Sequence, residues 1–327
     1  MAKLPFMDLV REDLGRVESL LLEQSSCQHE AIGVAVDHLI GGGGKRLRPA
    51  LVLLSAHLCG AEMDRAVFAA AAVEMLHTAT LVHDDLIDGA LVRRGTETLN
   101  AHWSPAATVL TGDYIFARAA YLASRADDIR LMQRFAETLM VICNGEVQQM
   151  FDGRHGRASH REYAQRIYAK TASLIVMSAE AGAILAGASE ETMAALRAYG
   201  EQLGLAFQIV DDVLDFVADD ETLGKPVGSD LRHGLITLPV LFFLEADPDQ
   251  PAIRQALLGS PSEETVQKAV RAVVGSSAIE RALEVARQHG RLAKEALNKL
   301  QISNSERGQL YLTALLELAD FTVRRRF

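Results

Sequence analysis

Apolar residues recur at three- and four-residue spacings through much of this chain, as over 51–58, 68–86 and 203–216. That period matches the 3.6-residue turn of an α-helix and not the two-residue alternation of a strand. No run alternates in the strand manner, and Gly and Pro fall at intervals that break helices rather than divide domains. Alanine-rich stretches such as 67–73 suit close helix–helix packing. The pattern predicts an all-α bundle with a central cavity.

Composition narrows the reading. The chain has 327 residues, compatible with one large domain or two, and no Pro- or Ser-rich linker or low-complexity tract divides it. A single domain over 1–327 is expected. The net charge of −10 argues against nucleic acid as a partner. Cys27, Cys59 and Cys143 have no C-x-x-C spacing and are expected to stay reduced. The N-terminal Met-Ala-Lys-Leu-Pro-Phe has no signal-peptide pattern, and no apolar run reaches about 18 residues, so a cytoplasmic protein that is not an integral membrane protein is expected.

Two acidic clusters carry the chemistry. Asp84, Asp85 and Asp88 form one D-D-x-x-D, and Asp211, Asp212 and Asp215 form a second of identical spacing; each closes a long apolar stretch. On a helix the three acids of each fall within an arc of roughly 100°. Carboxylates so close repel one another and are costly in apolar surroundings, a cost that a hard cation removes. Mg²⁺ suits such a set, because it keeps several waters and shares its shell with substrate phosphates.

Basic residues surround the acids. Arg93 and Arg94 follow the first cluster, Lys45, Arg46 and Arg48 precede it in a glycine-led run, Lys170-Thr171 lies between the clusters, and Lys225 follows the second. Cations around acidic clusters suggest an anion site, with Arg supplying a planar fork and Lys a point charge for phosphate. The glycine run is not a nucleotide P-loop: Lys45 is followed by Arg46 rather than Ser or Thr, and no strand precedes it. It reads as a helix connection, with the next helix beginning near Lys45. The pairs Asp127-Asp128 and Asp219-Asp220 lack a third acid and an apolar setting, and read as surface.

From about Leu39 to Arg325 the sequence resembles the trans (all-E) polyprenyl diphosphate synthases. The resemblance is carried, in order, by G-G-K-R-L-R-P (43–49), E-M-L-H-T-A-T-L-V-H-D-D-L-I-D (74–88), R-R-G (93–95), G-D-Y (112–114), G-E (145–146), K-T-A (170–172), F-Q-I-V-D-D-V-L-D (207–215) and L-G-K-P-V-G-S-D-L (223–231). It implies the isoprenoid-synthase helical bundle and Mg²⁺-dependent transfer of the prenyl group of an allylic diphosphate onto isopentenyl diphosphate. By the same resemblance, all six aspartates ligate the metal, and Arg93, Lys170 and Lys225 contact the allylic diphosphate. Lys45, Arg48, His77 and Arg94 form the isopentenyl diphosphate pocket, Thr171 and Gln208 face the developing cation, and the chain forms a homodimer.

One departure stands out. Where the family commonly has Gly-Lys-x-Thr-Leu-Pro, this chain has Gly234-Leu235-Ile236-Thr237-Leu238-Pro239, so Leu235 supplies no charge and Arg232 or His233 is the nearest substitute. Product length is read from bulk. Ala79 and Thr80, five and four residues before Asp84, are small, Leu76 and Val73 line the next turns, and Met140 or Cys143 on a facing helix could form the floor. A product longer than farnesyl is expected, such as the six-to-ten-isoprene side chain of a quinone, with geranylgeranyl or farnesyl as the alternative. A terpene cyclase and the catalytic subunit of a heteromeric synthase are the other readings; a cyclase has no use for a second diphosphate pocket.

Overall fold

The computed structural model describes residues 5–26, 29–42, 44–93, 95–152, 159–217, 227–257, 261–300 and 306–325. Its helices in chain order are α1 (Pro5–Asp8), α2 (Arg11–Leu22), α3 (Glu30–Gly41), α4 (Leu47–Cys59), α5 (Met63–Ile87), α6 (Leu99–His102), α7 (Pro105–Arg125), α8 (Ile129–Asp152) and α9 (His160–Ile167). They continue as α10 (Ser173–Leu185), α11 (Glu190–Val217), α12 (Ser229–Arg232), α13 (Leu238–Ala246), α14 (Pro251–Leu257), α15 (Glu263–Val274), α16 (Ala278–Leu297) and α17 (Glu306–Arg324). The all-α expectation holds. The strands among the described residues are the two-residue pair β1 (Val92–Arg93) and β2 (Thr96–Glu97), antiparallel, which no alternation could announce at that length.

Local chemistry starts these helices. Ser104 accepts from the Ala107 amide at 3.3 Å with Pro105 following it, opening α7. Ser159 and Glu162 form a capping box on α9. Asp128 accepts from the amides of Arg130 and Leu131 at 2.9 and 3.3 Å, and approaches Arg65 at 3.6 Å, so this acid has a structural task beyond the surface role expected of it. Gly60, at φ 75°, terminates α4 in the left-handed conformation that a residue with a Cβ adopts only with strain.

The chain resolves into two compact units, each built from separate stretches. The first, Met1–Thr138 with Leu174–Gly200 and Ala296–Leu318, centres on α5, against which α2, α4 and α7 pack. Ala69, Ala70, Ala71 and Ala72 are fully buried there, the close packing that the alanine run predicts. By length and composition α5 could cross a membrane, with a mean hydropathy of 1.4 in its most apolar window. Glu74 interrupts it, so the expectation of no apolar run of about 18 residues stands. With 67% of the window buried inside the protein, α5 is a core helix. The second unit, Leu139–Ser173 with Glu201–Glu295 and Ala319–Phe327, has its own core, in which Ile209, Val213 and Phe216 of α11 meet Val240, Ile253, Ala269 and Ala282. A π-helical turn, Tyr168–Ala172, joins α9 to α10.

Candidate functional site

In the first unit, the leading acidic cluster occupies the last turn of α5. Asp84 is half-buried, Asp85 is 6% exposed, and Asp88 is the exposed C-cap. A helix C-terminus carries partial negative charge, so acids there cost about 0.3–1 kcal/mol each and contribute nothing as caps. Burial pushes the Asp85 carboxyl up; Arg93 opposes it, its Nε donating to Asp85 Oδ1 at 2.6 Å, while Asp88 adds repulsion. Arg93 reaches this position from β1, which pairs antiparallel with β2 across a turn in which Gly95 adopts φ 76°. Arg94 lies outside the described residues.

Helical geometry sorts the remaining residues of α5. His77 projects within about 20° of Asp84 and Thr80 within about 40°, whereas Ala79 projects about 140° away. His77 and Thr80 are half-buried, and Thr80 Oγ1 donates to the His77 carbonyl at 2.8 Å. Ala79 (2% exposed) and Leu76 (0%) are packed inside. On the helix surface Thr80 thus lies between the direction of Asp84 and that of Ala79. The G-D-Y motif braces this turn. A Cβ on Gly112 would lie 2.2 Å from His83 Nε2, and Asp113 Oδ1 approaches the same nitrogen at 3.4 Å. Gly112 is thus the residue that lets α7 meet the ring next to Asp84.

Upstream, α4 begins at Leu47 with Arg46 as its N-cap, two residues later than expected from Lys45. Lys45 is exposed and Arg48 half-buried. Arg46 turns inward to Glu74 of α5, its Nη1 donating to Glu74 Oε1 at 2.7 Å.

In the second unit, the trailing cluster closes α11, again at the electronegative end of a long helix. Asp212 (4% exposed) and Asp215 (1%) are buried, while Asp211 is half-buried. A chain of hydrogen bonds reaches Asp212. Thr171 Oγ1 donates to Gln208 Oε1 at 2.6 Å, Gln208 Nε2 donates to Asp212 Oδ1 at 2.8 Å, and Tyr163 Oη donates to Asp212 Oδ2 at 2.7 Å. Burial, reinforced by Asp230, still raises the Asp212 carboxyl to about 8 against the pull of Tyr163, Gln208 and Arg166. The Asp230 amide donates to Asp215 Oδ2 at 3.1 Å. Asp211 pairs at 2.8 Å with Arg325, whose guanidinium lies 3.7 Å from the centre of the Phe207 ring.

Lys170 and Thr171 sit in the π-helical turn, an irregularity often found at functional sites. Lys170 Nζ donates to Glu146 Oε1 at 3.2 Å. A Cβ on Gly145 would come within 2.4 Å of Ala169 Cβ, so the G-E motif lets α8 approach the K-T-A turn while Glu146 holds its lysine. Tyr163, Asp230, Arg325, Arg46 and Glu74 escaped sequence reasoning as site residues. The last four carry no spacing that separates them from surface ion pairs.

Three expectations change. Met140 is 63% exposed rather than set in a cavity floor, and Cys143 is exposed as well. Arg232 does not stand in for the lysine missing at Leu235, because Glu263 holds its Nη2 at 2.7 and 2.9 Å. His233 Nδ1 is bonded to the Ser229 carbonyl at 2.9 Å. Cys59 is free, and burial pushes its thiol up to about 11; Cys27, Asp219, Asp220 and Lys225 lie outside the described residues.

The donor set fits Mg²⁺. Both clusters offer carboxylate oxygens alone, which suit a hard dication better than a softer transition metal. Among the described residues no three His, Cys, Asp or Glu side chains converge into a closed metal cage.

Comparison with known proteins agrees with the motifs. The sequence profile of the family described as polyprenyl synthetase matches residues 29–274. The chain is 37% identical over 325 residues to a short chain isoprenyl diphosphate synthase of Methanothermobacter thermautotrophicus, covering 98% of each chain. It is 35% identical over 321 residues to an octaprenyl diphosphate synthase of Haemophilus influenzae, covering 98% of this chain and 96% of that one. A polyprenyl synthase from Caulobacter crescentus, crystallised with calcium and isoprenyl diphosphate, superposes with a TM-score of 0.92 at 37% identity, covering 98% of this chain and 97% of that one.

Proposed function

This chain belongs to the polyprenyl synthetase family and is a prenyltransferase, and on that premise we propose that it elongates an allylic diphosphate with isopentenyl diphosphate in a Mg²⁺-dependent reaction. The observation that carries the reading is the relay Thr171–Gln208–Asp212, which ties the K-T motif directly to the second acidic cluster. The family match draws on stretches of both compact units, which supports one synthase domain over 1–327.

Bound Mg²⁺ supplies positive charge against the diphosphate leaving group. The protein's part is positioning and electrostatics. Asp84, Asp85, Asp88, Asp211, Asp212 and Asp215 are the proposed metal-binding acids. Asp85 and Asp212 are buried and already hydrogen-bonded, so they fix the geometry of their neighbours. Arg93 and Lys170, held by Asp85 and Glu146, are the proposed allylic diphosphate contacts, with Lys225. Lys45, Arg48, His77 and Arg94 are proposed for isopentenyl diphosphate. The allylic C–O bond breaks, the double bond of isopentenyl diphosphate attacks the resulting cation, and the departing diphosphate accepts the proton then lost. The Thr171 hydroxyl donates its hydrogen bond to Gln208 Oε1, so its lone pairs are what it offers a developing cation. No protein base is required.

For the product we propose a chain longer than farnesyl, for a quinone side chain. The small Ala79 supports it, and the names of the relatives span short and octaprenyl products. A homodimer in the cytoplasm is the proposed assembly and location. The test is incubation of the purified chain with Mg²⁺, radiolabelled isopentenyl diphosphate and farnesyl diphosphate, followed by sizing of the products. Incorporation in proportion to primer is expected. Hydrocarbon formed from farnesyl diphosphate without isopentenyl diphosphate would point to a cyclase instead.

A further inference from the structure

In the glycine-led run, Arg46 turns its side chain inward. Its backbone is left-handed, φ 48° and ψ 36°, one of two such non-glycine residues among those described. A side chain makes that conformation unfavourable, and glycine is the residue that adopts it freely. Gly41 to Gly44 precede it, so the chain departs from glycine at the very position where glycine would be easiest.

The guanidinium gives the arginine its purpose. Nη1 donates to Glu74 Oε1 at 2.7 Å, and Nη2 donates to the Ile40 carbonyl at 2.7 Å, satisfying an acceptor left open in the last turn of α3. Nε lies 3.9 Å from Glu18 Oε1 of α2. The Arg46 and Glu74 side chains are only 13% and 10% exposed. Glu74 lies three residues before His77, an adjacent position on the surface of α5. Arg46 thus ties Lys45 and the first turn of α4, which bears Arg48, to the helix bearing His77 and the first acidic cluster.

We propose that Arg46 and Glu74 form a positioning strut that sets Lys45 and Arg48 relative to His77, and so governs affinity for the diphosphate of isopentenyl diphosphate without either member touching it. The inference rests on the assignment of Lys45, Arg48 and His77 to that substrate. A buried ion pair needs no such role to be stable, since an apolar pair of similar volume often serves as well. What an apolar pair lacks is the fixed fork that defines one loop position.

The experiment compares the wild-type chain with Glu74→Gln, Arg46→Gly and the double variant Arg46→Met/Glu74→Leu. Arg46→Gly keeps the left-handed backbone and removes the fork. The double variant restores packing without direction and guards against loss of folding in the single ones. In each, KM for isopentenyl diphosphate is expected to rise about tenfold, in the range of other supporting-residue substitutions. KM for the allylic primer, and kcat at saturating isopentenyl diphosphate, should stay within about twofold. Calorimetric titration with isopentenyl diphosphate should show the same loss. A double variant with wild-type KM, or variants in which both KM values and kcat shift together, overturns the strut as a positioning device. A wild-type chain that binds isopentenyl diphosphate but does not elongate overturns the functional reading alone, leaving the calorimetric comparison to decide the strut; one that does not bind it overturns both.

Discussion

The Tyr163 hydroxyl donates to Oδ2 of Asp212 at 2.7 Å, and both groups are buried. With Gln208 on Oδ1, each oxygen of this carboxylate has a protein donor. Tyr163→Phe keeps the ring and deletes one donor. Leaving a buried acceptor unsatisfied costs about 1–3 kcal/mol, so thermal unfolding should move down accordingly. Turnover should fall, with the Mg²⁺ concentration for half-maximal activity raised. A Mg²⁺ titration identical to that of the wild type would show that Asp212 keeps its position without Tyr163.

Both acidic clusters are predicted to be required. Asp84→Ala and Asp211→Ala should each lower turnover by at least about 10²-fold, equivalent to about 2.7 kcal/mol of barrier. Chelation of divalent cations should abolish activity in the wild type, and Mg²⁺ should restore it. Asp211→Ala should also lower the melting temperature, because it leaves the Arg325 guanidinium, 8% exposed, without its carboxylate. Turnover near the wild-type rate in either variant, with Mg²⁺ present, would sink the two-cluster assignment.

Product length is predicted to respond to bulk before the first cluster. Ala79→Phe should retain isopentenyl transfer but end products near farnesyl or geranylgeranyl while the parent goes further. Because Ala79 is 2% exposed, overpacking of about 1–3 kcal/mol should accompany the change. Thr80→Phe, nearer the acidic face of α5, is the companion variant. Unchanged product distributions in both would remove the support for a long-chain product.

His289 gives a pH prediction outside the proposed chemistry. Burial lowers its pKa below the usual 6.5, and its Nδ1 lies 2.7 Å from Gln202 Oε1. In the unfolded chain the imidazole takes a proton near pH 6.5, whereas in the folded chain it resists until the pH is lower. The contribution to stability is therefore intact above pH 6.5, declines as the pH falls through that value, and stops declining below the folded pKa. Melting temperature should drop over that window in the wild type and less steeply in His289→Gln. Parallel profiles would refute the assignment.

Helices and acidic clusters are legible because each rests on a local pattern: a 3.6-residue period for α5 and α11, and fixed spacing for the aspartates. The neighbours of those aspartates were not legible. Tyr163 and Arg325 meet Asp212 and Asp211 across long stretches of chain, and nothing in a tyrosine or arginine codon announces its partner. Arg46 looked like its neighbours Lys45 and Arg48, since a left-handed backbone leaves no signature when the residue is not glycine. The exposure of Met140 is not legible either, because an apolar side chain carries no sign of which face of its helix is covered.

The pairing of Arg325 with Asp211 has a kinetic meaning. Arg325 also donates to the Phe207 carbonyl, 118 positions earlier in the chain. Contacts between such distant segments form late, because the entropy of closing the loop must be met first. Until α17 docks, the second acidic cluster has three crowded carboxylates and lacks this guanidinium. The segment around 207–215 should then be the last of its unit to gain protection in pulsed hydrogen exchange during refolding, and in Arg325→Ala its final protection should be weaker. Early protection there, before α17, would mean that the apolar face of α11 alone sets the order of assembly.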